Sequence, residues 1–343
     1  MQLTKLGGLC AALCVVGAFG CGDGLQCTEV VANGLTFDCR GAGEGVGVLL
    51  LHGFPERAKM FDELMRQLAG KGFRSVACDQ RGYSPGASPD GQENYDYDLL
   101  RSDVFAIARA VGFDEFHLVG HDHGSMLGWY SVNSDEGRNS LLSYSGLSVP
   151  HPDAFSAGLY GPDADAAQQV ASQYFSMFVL PNSSSIHSDF WYNLMGKSDN
   201  FTSAVAFQKA LWWYTGAMGV IAFPPQMTTE ELLPLDAQMS YLRGVFGLNP
   251  SIPLAGVPQE VSRATGDIEI PALFVCGSVD TALLCTKPYA KATENFCKAG
   301  YTYLEVDCGH NVMGCTSDTE TQKVIDGIIG HIVSASAGAA VTI

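Results

Sequence analysis

From residue 28 onward, polar and apolar positions fall into an alternation of two periods. Residues 28–32 and 35–40 read as short strands on either side of an Asn33-Gly34 turn, and the unbroken apolar run at 46–51 reads as a buried strand. The spacing then predicts a helix over 58–70, a strand at 74–78, a helix over 97–111, a strand at 116–119 and a helix over 125–134. Strands alternating with helices specify a parallel sheet. The alternation breaks near His151, and from 151 to 267 the chain is rich in aromatics and helical patches without a strand signal. It resumes with a strand at 272–276, a helix over 286–299, a strand at 301–306 and a last helix over 321–334. The expected layout is an α/β core with a mostly parallel sheet, in two parts at 21–150 and 268–343, interrupted by a helical cap at 151–267.

Three features of composition sharpen this picture. With 343 residues, 47% of them hydrophobic, the chain can bury one large core and a smaller inserted unit. A formal net charge of −17, with 36 acidic against 19 basic residues and no basic run, repels phosphate backbones and anionic membranes. Nucleic acid is therefore excluded as a partner. Residues 1–20 read as a secretory leader: Lys5, an apolar stretch at 6–16 and small residues Gly17, Ala18 and Gly20. No other segment is long enough to span a membrane.

Eleven cysteines agree with a secreted, oxidised protein. Proximity suggests Cys27 with Cys39 across the turn, Cys285 with Cys297, and Cys308 with Cys315, although spacing alone does not fix connectivity. Paired C-x-x-C ligand spacings are missing, so neither a metal nor any other cofactor is expected. Asn182 and Asn200 stand in acceptor sequences for N-glycosylation.

The strongest chemical signal is Gly120-His121-Asp122-His123-Gly124, between a predicted strand and a predicted helix. It has the Gly-x-nucleophile-x-Gly form of a strained elbow, with Asp at the nucleophile position and a helix N-terminus behind it to favour the ionised form. Standing alone, an N-capping aspartate between chance glycines would explain the same letters. The surroundings argue otherwise. His52-Gly-Phe-Pro-Glu56 follows the central strand, where such a fold supplies one backbone N–H to an oxyanion hole, the other coming from the residue after the nucleophile, His123. His310 follows the last strand as general base, and Asp280 follows the preceding one to orient it, in the order nucleophile, acid, histidine. A serine nucleophile at Ser125 would lie almost one helical turn from the elbow, and His121 with His123 makes no metal site. A non-catalytic binding protein on the same fold remains an alternative.

These motifs, with Asp79-Gln-Arg-Gly-Tyr-Ser84 and Ser148-Val-Pro-His-Pro152, resemble the epoxide hydrolase and haloalkane dehalogenase branch of the α/β-hydrolases from about residue 30 to 333. The resemblance implies an alkyl-enzyme ester on Asp122, hydrolysed by water that His310 activates. The oxyanion donors Phe54 and His123 would contribute about 3 kcal/mol each. It also implies a small apolar or moderately polar organic substrate with water as co-substrate. Epoxide opening needs a proton donor on the cap. Tyr214, in Ala210-Leu-Trp-Trp-Tyr214-Thr215, is the candidate, with Tyr174 and Trp213 as substrate-binding candidates. The family's other tyrosine precedes Phe-x-x-Pro, a position that Met177 occupies here, and the dehalogenases' usual Trp after the nucleophile is replaced by His123. An epoxide is thus the first reading, a haloalkane or haloacid the alternative.

Overall fold

The computed structural model describes residues 15–172 and 265–339, apart from residues 23, 55 and 161. Among the described residues nine strands form one sheet: β1 Val15–Gly22, β2 Leu25–Ala32, β3 Leu35–Ala42, β4 Val46–Leu51, β5 Phe73–Cys78, β6 Phe116–His121, β7 Leu141–Leu147, β8 Ala272–Gly277 and β9 Tyr301–Val306. Their order is β1-β2-β3-β5-β4-β6-β7-β8-β9. The first three strands and the β3–β5 pair are antiparallel, and every pairing from β5 through β9 is parallel. Parallel neighbours require crossovers, and between β4 and β7 helices supply them: α1 Asp62–Gly70, α2 Tyr97–Ala110, α3 His123–Val132 and α4 Asp135–Ser140.

The run at 46–51 is apolar throughout because both of its faces are covered. Leu49 and Leu51 pack into a cluster with Phe116, Leu118, Trp129 and Phe274, while Val48 and Leu50 face another with Val119, Val275, Ile325 and Ile328. The last two belong to the long closing helix, Asp318–Ala339.

Several elements differ from the sequence expectation. β7 was not predicted, because Ser143, Ser145 and Gly146 interrupt its apolar pattern. The serines are nevertheless buried, and Ser143 Oγ lies 2.8 Å from His117 Nδ1 on the neighbouring strand. The predicted helix at 58–70 divides into a 3₁₀ turn, Ala58–Phe61, and α1. The one at 286–299 shrinks to α7, Pro288–Lys291, and a 3₁₀ turn, Ala292–Phe296; the closing helix is α8. β1 reaches back into the expected leader, so cleavage after residue 20 would leave only Cys21 and Gly22 of that strand. Most of the expected cap, 151–267, lies outside the described residues. Its described beginning is helical, with α5 Pro152–Tyr160 and α6 Ala166–Ala171.

The disulfides correct two of the proposed pairings. Across β2 and β3, Cys27 stands opposite Arg40 and Cys39 opposite Thr28, so the two cysteines point to opposite faces and cannot meet. Cys27 instead bonds Cys21, and Cys39 bonds Cys78, its direct partner on β5. Cys285 bonds Cys276, leaving Cys297 a buried free thiol, while Cys308 bonds Cys315 as its spacing suggested. Mass mapping of a non-reduced digest should find the Cys39–Cys78 and Cys276–Cys285 crosslinks with Cys297 alkylatable after unfolding. Recovery of a Cys27–Cys39 peptide would contradict the register of β2 and β3.

Candidate active site

Four chain segments converge at the carboxyl ends of the parallel strands, the edge at which open α/β sheets build their sites. Asp122 follows β6, Phe54 follows β4, Asp280 follows β8 and His310 follows β9.

Asp122 has φ +54° and ψ −119°, a backbone state costing a non-glycine residue about 1–3 kcal/mol. It is held there by hydrogen bonds from its own N–H to Leu147 O at 3.1 Å and from Met126 N–H to its carbonyl at 3.0 Å. The close fit explains the glycines. A Cβ on Gly120 would sit 2.2 Å from Gly124 O, one on Gly124 would sit 2.3 Å from Leu51 O, and one on Gly53 would sit 2.4 Å from Asp122 Cβ. Turning so sharply, the chain presents the carboxylate at the first turn of α3, in the positive field of its N-terminus.

The two carboxylate oxygens have different partners. Phe54 N–H donates to Asp122 Oδ1 at 2.7 Å, and His310 Nε2–H donates to Oδ2 at 2.9 Å. On the other side of the ring, His310 Nδ1–H donates to Asp280 Oδ2 at 2.7 Å. Asp280 Oδ1 accepts from Ala282 N–H at 2.8 Å and Leu283 N–H at 3.0 Å, which fixes the carboxylate's orientation.

Burial alone would raise the Asp122 carboxyl. The neighbouring His123, the His310 hydrogen bond and the charges of His310 and His121 outweigh it and hold the group below the usual carboxylate range. For His310 the opposing pull is also burial; the charge of Asp280, the hydrogen bonds to Asp122 and Asp280 and the charge of Asp122 keep it well above the ordinary imidazole value. The ring thus lies between two acidic side chains whose hydrogen bonds and charges favour its protonated form.

The supporting shell is built from the quoted motifs. Gln80 N–H donates to His52 Nε2 at 3.0 Å, and Gln80 Nε2 donates to His52 O at 2.7 Å, tying the segment after β5 to the Phe54 loop. Asp79 accepts from Ala58 N–H at 2.9 Å and pairs with Arg57 at 2.5 Å. Burial pushes the His52 imidazole down to about 4, so the ring is neutral and structural. Arg81 and Asp103 form a buried two-pronged pair at 2.7 and 2.8 Å that clamps the same segment to α2.

Three contributors were not singled out from sequence. Ser148 Oγ donates to His310 O at 2.6 Å from a backbone at φ +68°, and His121 Nε2–H donates to that same carbonyl at 3.0 Å. Glu56 accepts from Asn311 Nδ2 at 3.3 Å, and burial, followed by the charge of Asp122, raises its carboxyl. Their segments had been quoted, but a backbone carbonyl as hydrogen-bond target leaves no mark in sequence. Tyr174, Trp213 and Tyr214 lie outside the described residues. Among the described residues no group of three potential ligands could hold a metal, and no helix is long and apolar enough to cross a membrane.

A family model for the alpha/beta hydrolase fold matches residues 47–142. Over 210 residues the chain is 31% identical to the AB hydrolase superfamily protein YfhM of Bacillus subtilis, covering 57% of this chain and 71% of that one. It is 32% identical over 162 residues to Epoxide hydrolase 4 of Mus musculus (46% of this chain, 43% of that one). It is 36% identical over 109 residues to a Fluoroacetate dehalogenase of Burkholderia sp (31% of this chain, 36% of that one). The chain thus spans less than half the length of these last two relatives. A solved structure described as "Novel epoxide hydrolases belonging to the alpha/beta hydrolases superfamily in metagenomes from hot environments" superposes with a TM-score of 0.64 at 22% identity, covering 91% of this chain and 98% of that one. At that identity the likeness is one of fold.

The elbow makes a quantitative prediction. Gly124→Ala drives a methyl into the carbonyls of Leu51 and His52, at 2.3 and 2.5 Å. Chemical denaturation should show a loss of about 1–3 kcal/mol. Unchanged stability would mean that the strand-to-helix contact is looser than described.

Proposed function

The chain belongs to the α/β-hydrolase superfamily, and from that premise we propose that it is an epoxide hydrolase working through a covalent ester on Asp122. The observation that carries this reading is the division of labour on one carboxylate, with Oδ1 on the Phe54 N–H and Oδ2 on His310. Oδ2 is the nucleophile: it attacks a ring carbon, the C–O bond opens, and the ring oxygen takes a proton to become a hydroxyl. Oδ1 remains with its donor and becomes the ester carbonyl, already seated where negative charge develops in the second step. The His123 N–H, first in α3, is the second oxyanion donor.

Esterification removes the charge of Asp122, one of the two anions that keep His310 protonated. The imidazole then gives up its proton and becomes a base, and Asp280 holds its Nδ1–H so that Nε2 faces water. Water attacks the ester carbonyl carbon, His310 takes its proton, and the diol leaves with Oδ2. Protons balance: the ring oxygen takes one from Tyr214, the proton that His310 gives up restores the tyrosine, and of the two protons of water one returns to His310 and the other ends on the departing diol oxygen. Tyr214 is our candidate for delivering the first proton from the cap, with Tyr174 and Trp213 lining the substrate.

A carbon–halogen bond could be broken at the same nucleophile with halide leaving in place of the ring oxygen. The 36% identity to the Fluoroacetate dehalogenase, against 32% to Epoxide hydrolase 4, supports keeping a haloacid as the second reading. The disulfides suit an extracytoplasmic location, which we propose on the same footing as the leader at 1–20.

Two substitutions test the roles. Asp122→Asn, close in volume but a poor nucleophile, should abolish turnover of styrene oxide while leaving the fold intact by circular dichroism. His310→Gln should permit attack yet slow ester hydrolysis by about 10²–10⁴-fold, so that intact mass shows an adduct on the Asp122 peptide. Full activity of Asp122→Asn, in a preparation free of deamidation, would refute the nucleophile. Fluoride or chloride release with no diol formed from any epoxide would favour the second reading.

A further inference from the structure

The residues we propose as acid and base of the triad sit on two loops, and each loop is closed on itself by a disulfide. Asp280 lies inside the segment closed by Cys276–Cys285, with a sequence separation of 9. His310 lies inside the one closed by Cys308–Cys315, with a separation of 7. From 278 to 287 and from 307 to 317 the backbone consists of turns, bends and irregular chain, with no helix or strand to hold it. Cys21–Cys27 and Cys39–Cys78 enclose no member of the triad.

The two closed loops also bear directly on each other. Val279 N–H donates to Cys308 O at 3.2 Å, and Ser278 N–H donates to Val306 O at 2.8 Å. A Cβ on Gly277 would lie 2.3 Å from Gly309 O, so backbone meets backbone with no side chain between. One cysteine of each bridge is anchored, Cys276 within β8 and Cys308 just past the end of β9. Each bridge returns the far end of its loop to the sheet edge.

A purely stabilising role fits these bridges poorly. Loop-closure entropy makes long loops the rewarding ones to crosslink, and these are short. What a short bridge does well is remove freedom from the few residues inside it. Here those residues include the two whose side chains meet at 2.7 Å. The orientation of Asp280 depends on Ala282 and Leu283 N–H groups inside the first loop, and displacement of a catalytic group by about 1 Å can cost on the order of a hundredfold in rate.

We propose that Cys276, Cys285, Cys308 and Cys315 are positioning residues of the triad, each bridge fixing the loop that carries one half of the Asp280–His310 hydrogen bond. The proposal rests on the reading of that pair as catalytic, but its geometry can be measured without turnover. His310 Nδ1–H, shared with Asp280, should give a far-downfield proton resonance, identified by its loss in His310→Gln. In Cys276→Ser/Cys285→Ser and in Cys308→Ser/Cys315→Ser, the resonance should disappear or move upfield, and the His310 titration midpoint should fall by about one pH unit. Cys21→Ser/Cys27→Ser, which opens a bridge remote from the triad in sequence, should leave both unchanged. Single-turnover decay of the styrene oxide ester should slow by about a hundredfold in the first two variants while ester formation changes far less. Should those variants fail to fold, the same spectra can be taken on the natural protein after mild reduction and thiol alkylation.

An unmoved resonance and midpoint in both opened proteins, with only a lower melting temperature, would overturn the proposal and leave the bridges as staples. If the resonance moves as expected but no ester forms on Asp122 in the natural chain, the proposed reaction is wrong and the positioning role stands.

Discussion

A carboxylate removed from most of its water must find other partners, and the site is arranged around that need at Asp122. The strained turn after β6 aims the side chain at the Phe54 N–H, the imidazole of His310 and the first turn of α3. Without the turn the three would have no common target. The turn in turn demands the glycines at 53, 120 and 124, where any Cβ would overlap backbone or Asp122 itself. Both faces of the apolar strand β4 and the closing helix α8 then serve to keep the strand ends in register, so that loops from β4, β6, β8 and β9 arrive together.

His310 shares in this arrangement twice over. Its ring bridges two carboxylates, while its backbone carbonyl receives hydrogen bonds from Ser148 and His121. Ring and main chain are therefore fixed by separate sets of contacts, and the protonation of the ring can change without releasing the loop. On our account this is what the reaction requires, since His310 rests as a cation and acts as a base only after Asp122 has lost its charge.

Much of this was legible in the sequence because it rests on residue types that the geometry cannot do without. Glycines at both ends of the elbow, an apolar run long enough for a doubly covered strand, and a histidine past the final strand all leave a mark. β7 left none, because buried serines interrupt its apolar period, one of them, Ser143, meeting His117 on the neighbouring strand. Cysteine pairing was misread for a different reason. Proximity along a hairpin says nothing of parity, and one residue of register places Cys27 and Cys39 on opposite faces. Ser148 and Glu56 act on partners that only the folded chain brings near, and Tyr174, Trp213 and Tyr214 of the expected cap lie outside the described residues.

The central claim is that water attacks the enzyme and not the substrate. One turnover with enzyme in excess over styrene oxide, in water enriched in heavy oxygen, tests it directly through the mass of the peptide carrying Asp122. The account predicts one heavy oxygen in the Asp122 carboxylate and a first diol that carries none, because the diol leaves with Oδ2. Heavy oxygen found wholly in the diol, with none in Asp122, would contradict it.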